Sequence, residues 1–183
     1  MSEQLDVKLY YEHELPDSLK DSLSKLLDSC FPDWFFGRSF FKQLPHFRLV
    51  ATENTEAIAQ VSVDHRVINV GGKVVEIFGV NDLCVKESQR GNGIGADLLA
   101  RVEKTASQSS VEFLVLMADD PRLYHQQGFK SLDVAQTRFL GIDDEKHIGV
   151  GMLDKDLRSC FMVKEVKEIS WPDGDIDLLG YLF

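Results

Sequence analysis

The stretch from Leu83 to Ala118 constrains the fold more than any other part of the chain. A β-rich run ending in Leu83-Cys84-Val85 leads into five polar residues, Lys86 to Arg90, and then into glycines at 91, 93 and 95. From Ile94 onward the pattern changes to a helical one, with Ile94, Leu98, Leu99 and Val102 on one face. Residues 112–118 (EFLVLMA) then form a continuous apolar run, as expected of a central strand covered on both faces. Strand, glycine turn, helix and buried strand together make a crossover between parallel neighbours, which places a helix against a sheet.

The flanking segments supply the rest of that sheet. Residues 5–11 (LDVKLYY) alternate as a strand, and Pro16 opens a helix over 17–30 whose stripe is Leu19, Leu23, Leu26, Leu27 and Cys30. Strands are expected at 47–52, 57–70 and 73–85, the last with a break near Gly79, and Gly71-Gly72 marks a tight hairpin between the second and third. A short helix follows Pro121 and stops at Gly128, and strands at 129–140 and 158–166 flank an acidic loop. No repeat, low-complexity tract or Pro/Gly linker divides the 183 residues, so a single domain, 1–183, is expected. The fold class is α/β in the mixed (α+β) sense: a central, mostly antiparallel sheet with helices on both faces. The aromatic segment 31–41 (FPDWFFGRSFF) reads either as core or as a wall facing a substrate.

Charge and composition narrow the function. Twenty basic against thirty acidic residues give a net charge of -10, and no Lys/Arg cluster supplies the face that nucleic acid requires. An acidic surface suits a cationic partner such as an amine, or simply keeps the chain in solution. No apolar run approaches the roughly 20 residues of a membrane span, and the N-terminus lacks the pattern of a signal peptide. Cys30, Cys84 and Cys160 show no CxxC and no metal-ligand spacing, so no metal is expected and the thiols fit a reducing cytoplasm.

The glycine turn carries the chemistry. Backbone N–H groups unshielded by side chains, gathered at a helix start, form an anion site suited to phosphate or pyrophosphate. A P-loop is excluded because no Gly-Lys-Ser/Thr follows, and a dinucleotide fingerprint would bring its first glycine almost onto the strand. Here five polar residues intervene.

The spacing resembles the GNAT superfamily of acyl-CoA-dependent N-acyltransferases. Their pyrophosphate loop reads Arg/Gln-x-x-Gly-x-Gly/Ala beyond a strand, and Arg90-Gly91-Asn92-Gly93-Ile94-Gly95 matches each position. The family also carries a tyrosine on a later helix ahead of Gly-Phe, where this chain has Tyr124 before Gly128-Phe129. The resemblance spans residues 47–140 and extends, within the superfamily, to aminoglycoside 2'-N-acetyltransferases and nodulation N-acyltransferases through residues 56–85 and Trp171-Pro172-Asp173-Gly174-Asp175.

That resemblance implies a splayed pair of parallel strands, here 81–85 and 113–117, admitting acetyl-CoA. The amides of Arg90, Gly91, Asn92, Gly93, Ile94, Gly95 and Ala96 would hold its pyrophosphate, and the backbone of Leu83, Cys84 and Val85 its pantetheine amides. Tyr124 would be the acid that protonates the leaving thiolate. Where the aminoglycoside enzymes carry a glutamate this chain has Asn81, which can only hold a water. Asp82 serves as base only if the strand is bulged, and His65 is a further candidate. Asp33, Trp34 and Asp175, with Asp156 a poorer match, would contact a small-molecule amine. The tail 176–183 runs beyond the aminoglycoside enzymes, to close the pocket or to pack in a homodimer. A non-catalytic acyl-CoA sensor and a protein or peptide N-acetyltransferase stay open as alternatives.

Overall fold

A computed structural model of the chain describes residues 6–132, 136–143, 147–153 and 160–182; Asp156 lies outside the described residues. The chain divides into two compact units, residues 1–63 with 82–102 and residues 64–81 with 103–183. The elements are β1 (Asp6–Tyr11), α1 (Asp17–Cys30), β2 (Phe47–Glu53), β3 (Glu56–Val70), β4 (Lys73–Val85), α2 (Ile94–Ser107), β5 (Phe113–Met117), α3 (Arg122–Gln126), β6 (Lys130–Ser131), β7 (Thr137–Asp143), β8 (His147–Met152), β9 (Phe161–Glu165) and β10 (Ile176–Asp177). The fold is a mixed α/β sheet with helices, as the sequence pattern requires.

In the first unit β1 pairs antiparallel with β2, which pairs antiparallel with the first half of β3. Pro16 caps α1, as a residue with no N–H to lose can do at a helix start. Its apolar stripe, Leu19, Leu23, Leu26 and Leu27, is buried against Leu15, Phe35, Val50, Ala57 and Cys84. The aromatic segment divides: Phe35 enters this core, whereas Trp34 and Phe36 are 58% and 74% exposed. Trp34 packs on Phe41, ring centroids 5.2 Å apart.

In the second unit the strand order is β6-β9-β5-β4-β3-β10-β7-β8. β4 and β5 are parallel, in register from Ile77↔Phe113 to Gly79↔Val115, and each strand then runs on past this three-residue ladder. Gly79 therefore sits inside a paired strand, and the expected break there does not occur. The core gathers Ile68, Val75, Ile77, Phe113, Val115, Phe161, Val163, Ile176 and Leu178, with Trp171 edge-on to Phe113 at 5.0 Å.

Three expectations are corrected. The strand expected over 129–140 is two strands with different neighbours, β6 on β9 and β7 on β8 and β10. β8 falls in the expected acidic loop, because Gly149 and Gly151 erase the alternation that announces a strand. Gly151 is demanded by packing: a Cβ there would stand 2.6 Å from the Phe139 ring of its paired neighbour. Third, the tail is sheet: β10 pairs antiparallel with β3 and parallel with β7, and Ile176 and Leu178 are 1% and 0% exposed. The hairpin at Gly71 seats the preceding segment. A Cβ on Gly71 would lie 1.9 Å from the Asp173 carbonyl oxygen, and one on Gly174 2.6 Å from the Gly71 Cα, so the two backbones meet where only glycines fit.

Candidate active site

The glycine turn lies in the first unit. After β4 a single 3-10 turn, Glu87–Gln89, is closed by Gln89 N–H to Lys86 O and Arg90 N–H to Glu87 O. Gly91 and Gly93 then adopt φ +82° and +78°, and a Cβ built on either would meet nothing within 4 Å. Left-handed backbone of this kind costs any other residue about 1–2 kcal/mol, and the open space beside it is where a ligand approaches main chain. The next backbone bond of the turn is Asp97 N–H to Gly93 O, one turn into α2. Gly91–Ala96 lie between these bonds, and the first N–H groups of a helix have no intrahelical acceptor. Two glycines without side chains, an open face and a 14-residue helix behind them fit a diphosphate.

Arg90 turns away from that face. Its Nε donates to the Val85 carbonyl at 3.0 Å, and Cys30 Sγ donates to the same oxygen at 3.6 Å. The Val85 carbonyl is therefore engaged, which leaves Leu83 and Cys84 as the expected strand positions for amide pairing. Cys84 itself is buried, 6% exposed.

Asp82 is the irregularity in β4. Its φ of +50° lies in the left-handed region, a local departure from regular strand backbone of the kind a bulge introduces. Two side chains hold this residue. Gln60 Nε2 donates to the Asp82 carbonyl at 2.6 Å, and Ser62 Oγ donates to Asp82 Oδ2 at 3.5 Å. Behind them the fully buried Arg48 donates to Gln60 Oε1 and Ser62 Oγ, both at 3.1 Å, and grips Glu12 with Nε at 2.6 Å and Nη2 at 3.3 Å. A guanidinium at 0% exposure persists only because its donors are spent in this way. Sequence reading missed this network, although an arginine inside the apolar run Phe47-Arg-Leu-Val-Ala is the sign of a buried partner.

Asn81, Tyr124, His65 and Asp175 belong to the second unit. Asn81 Oδ1 is buried and has no hydrogen-bond partner among the described residues, a state that in a native protein calls for a water or a ligand. Tyr124, on α3, stands edge-on to Phe129 at 5.9 Å. Burial, and secondarily the charge of Asp120, raise its phenol above the ordinary tyrosine value. His65 is committed to Glu76 at 2.7 Å. Asp175 is exposed and its carbonyl accepts the Gly71 N–H at 2.9 Å, so the Trp171–Asp175 segment fastens the hairpin, with Trp171 in the core. Asp33, in the first unit, is an exposed turn residue with φ +67°. Among the described residues no group of three or more His, Cys, Asp or Glu could hold a metal ion, and no helix is long and apolar enough to cross a membrane.

Fold and turn together define an acyl-CoA N-acyltransferase class, and comparison with known proteins agrees. Residues 17–132, more than half of the chain, match the model of the acetyltransferase (GNAT) domain, and the chain belongs to that family of enzymes. Among solved structures it is similar to the GNAT family N-acetyltransferase YhbS from Escherichia coli in complex with CoA: TM-score 0.67, 18% identity, 97% of this chain and 92% of that one covered. A GNAT family acetyltransferase from Brucella melitensis in complex with acetyl-CoA gives 0.60 and 15%, over 93% and 94%. Escherichia coli ElaA gives 0.59 and 17%, over 88% and 100%. No curated protein matches. These likenesses establish the GNAT fold and do not support the aminoglycoside 2'-N-acetyltransferase branch in particular.

Proposed function

We propose that residues 1–183 act as one catalytic domain that moves an acetyl group from acetyl-CoA to a primary amine, the acceptor being a small cationic or aminosugar-like molecule attacking the thioester directly. One observation carries the coenzyme assignment. Gly91 and Gly93 hold left-handed backbone with open space on the side where a Cβ would project, at the start of α2. When bound, acetyl-CoA supplies the activated acetyl group. The amides of Gly91–Ala96 hold its pyrophosphate, and Leu83 and Cys84 offer backbone to its amide-bearing arm.

The chain's own residues then manage protons. An alkylammonium of pKa about 10.4 must lose a proton before it can attack. Asp82 takes that proton, directly or through a water, and the network from Arg48 through Gln60 and Ser62 keeps its bulge in place. The orphaned Oδ1 of Asn81 holds a water. Tyr124 supplies a proton to the departing thiolate. Burial raises its value, which favours the protonated phenol that such a step needs. Asp33 and Trp34, both exposed, are offered to the cationic acceptor. Asp175 adds a carboxylate, its main chain being already committed.

The test is calorimetry of acetyl-CoA with the wild type and Gly93→Val. A branched side chain there fills the open approach, and binding falls by at least about 100-fold while the fold persists. Unchanged affinity in a folded variant overturns the site. Thiol release scored against aminoglycosides, polyamines, aminosugars and peptides then separates the amine acetyltransferase from a peptide acetyltransferase, and no release with any amine identifies a sensor.

A further inference from the structure

The C-terminal end of α1 carries a thiol that acyl transfer does not use. Cys30 is half-buried, and three groups besides a second cysteine surround its sulfur. Sγ lies 3.6 Å from the Val85 carbonyl oxygen, 4.0 Å from Nη2 of Arg90 and 3.9 Å from the Ser29 hydroxyl. The second cysteine is Cys84, sealed in the apolar cluster with Leu23, Leu27 and Phe35 against which Cys30 packs, and it directly precedes the Val85 that Cys30 contacts.

That environment makes the two sulfurs unequal. The Cys84 S–H donated to Cys30, with Ser29 and Arg90 adding to it against the cost of burial, brings the Cys30 thiol down to about 6. The same bond, together with burial, pushes Cys84 well above the usual thiol value. Of the two, Cys30 is therefore the thiol that ionises first, giving up its bond to the Val85 carbonyl as it does. Cys160 offers the contrast: it donates to the Asp119 carboxylate at 3.5 Å, and an anionic neighbour disfavours a thiolate.

We propose that Cys30 and Cys84 are an oxidisable pair, with Cys30 the sulfur that attacks hydroperoxides and Cys84 the thiol that closes the disulfide. In the first step the Cys30 sulfur, as thiolate, attacks the distal oxygen of a hydroperoxide. An S–O bond forms, the O–O bond breaks, and the alkoxide or hydroxide released takes up a proton to leave as alcohol or water. In the second the Cys84 sulfur attacks Cys30–SOH; the S–S bond forms, the S–O bond breaks, and the Cys84 proton leaves with hydroxide as water. Each sulfur is oxidised by one electron and the peroxide is reduced by two. Closure takes from Arg90 its anionic partner and ties the end of α1 to β4 one residue before Val85, at the root of the glycine turn. The chemistry of the pair stands whether or not that turn binds coenzyme A.

The experiment treats the reduced full chain at pH 7 with equimolar hydrogen peroxide. The protein is then blocked with N-ethylmaleimide and digested without reduction for mass spectrometry. A peptide pair joined through residues 30 and 84, lighter by two hydrogens than its free components, is expected, with Cys160 still alkylated. Cys84→Ala instead accumulates a dimedone-trapped sulfenate at Cys30. Arg90→Gln slows oxidation of Cys30 severalfold and leaves Cys160 unchanged. The pH profile of wild-type Cys30 alkylation by iodoacetamide has its midpoint at about 6. Oxidation of Cys160 ahead of Cys30 overturns the proposal. So does a wild-type chain whose Cys30 sulfenate persists without the cross-link.

Discussion

Glu12→Ala strands the guanidinium of Arg48. Arg48 is 0% exposed, and of its four hydrogen bonds within the first unit two go to the Glu12 carboxylate, at 2.6 and 3.3 Å. Removing one partner of a buried pair leaves an uncompensated charge, at a cost of about 3–5 kcal/mol. Against a typical stability of about 5–15 kcal/mol, that is about a fifth or more of what holds the fold. Replacing both charges, in Glu12→Leu with Arg48→Met, restores much of the loss, because apolar side chains of similar volume need no partner. The double variant nevertheless leaves Gln60 and Ser62 without the donor that orients them, so the bulge at Asp82 loses its support. Stability should therefore recover in the double variant while kcat stays depressed. Urea unfolding with parallel thiol-release kinetics makes the comparison. A loss below about 1 kcal/mol in Glu12→Ala, or full kcat in the double variant, refutes the account of the network.

Other outcomes follow from single residues. Tyr124→Phe should lower kcat by about 100-fold or more with little change in the amine KM, and the wild-type alkaline limb should lie above the ordinary tyrosine range because the phenol is raised. Glu76 accepts from Ser110 at 2.6 Å and pairs with His65, and these bonds hold its carboxyl below the usual value. Its stabilising contribution is complete above the unfolded carboxylate range and is lost as pH falls through the lowered folded value, so Glu76→Gln should flatten that acid limb in pH-dependent melts. Leu178→Ala, at a side chain with 0% exposure, should cost about 2–5 kcal/mol in urea unfolding, whereas a loosely attached tail would cost almost nothing.

Local rules explain what could be read beforehand. The Gly71-Gly72 hairpin, the leucine stripe of α1 and the turn from Arg90 to Ala96 are set by neighbours a few residues away, so spacing alone revealed them. β8 escaped notice because its glycines make room for the Phe139 ring on another strand. β10 escaped because two residues carry no period at all, and its pairing with β3 joins positions more than 100 residues apart. Buried polar chemistry was hidden for the same reason. Arg48 needs Glu12 from one segment and Gln60 and Ser62 from another, and Cys30 meets the cluster that holds Cys84 only once α1 lies on β4.

The position of β10 also bears on how the protein is made. Ile176 and Asp177 occupy the slot between β3 and β7, whose residues leave the ribosome well before them. During synthesis that seam stays unzipped, with the main-chain groups of two strands facing each other across an empty lane, until residue 178 emerges. The nascent polypeptide therefore passes through an interval of sticky, half-built sheet, and a ribosome stalling before codon 176 would leave a product prone to clump rather than one merely shortened.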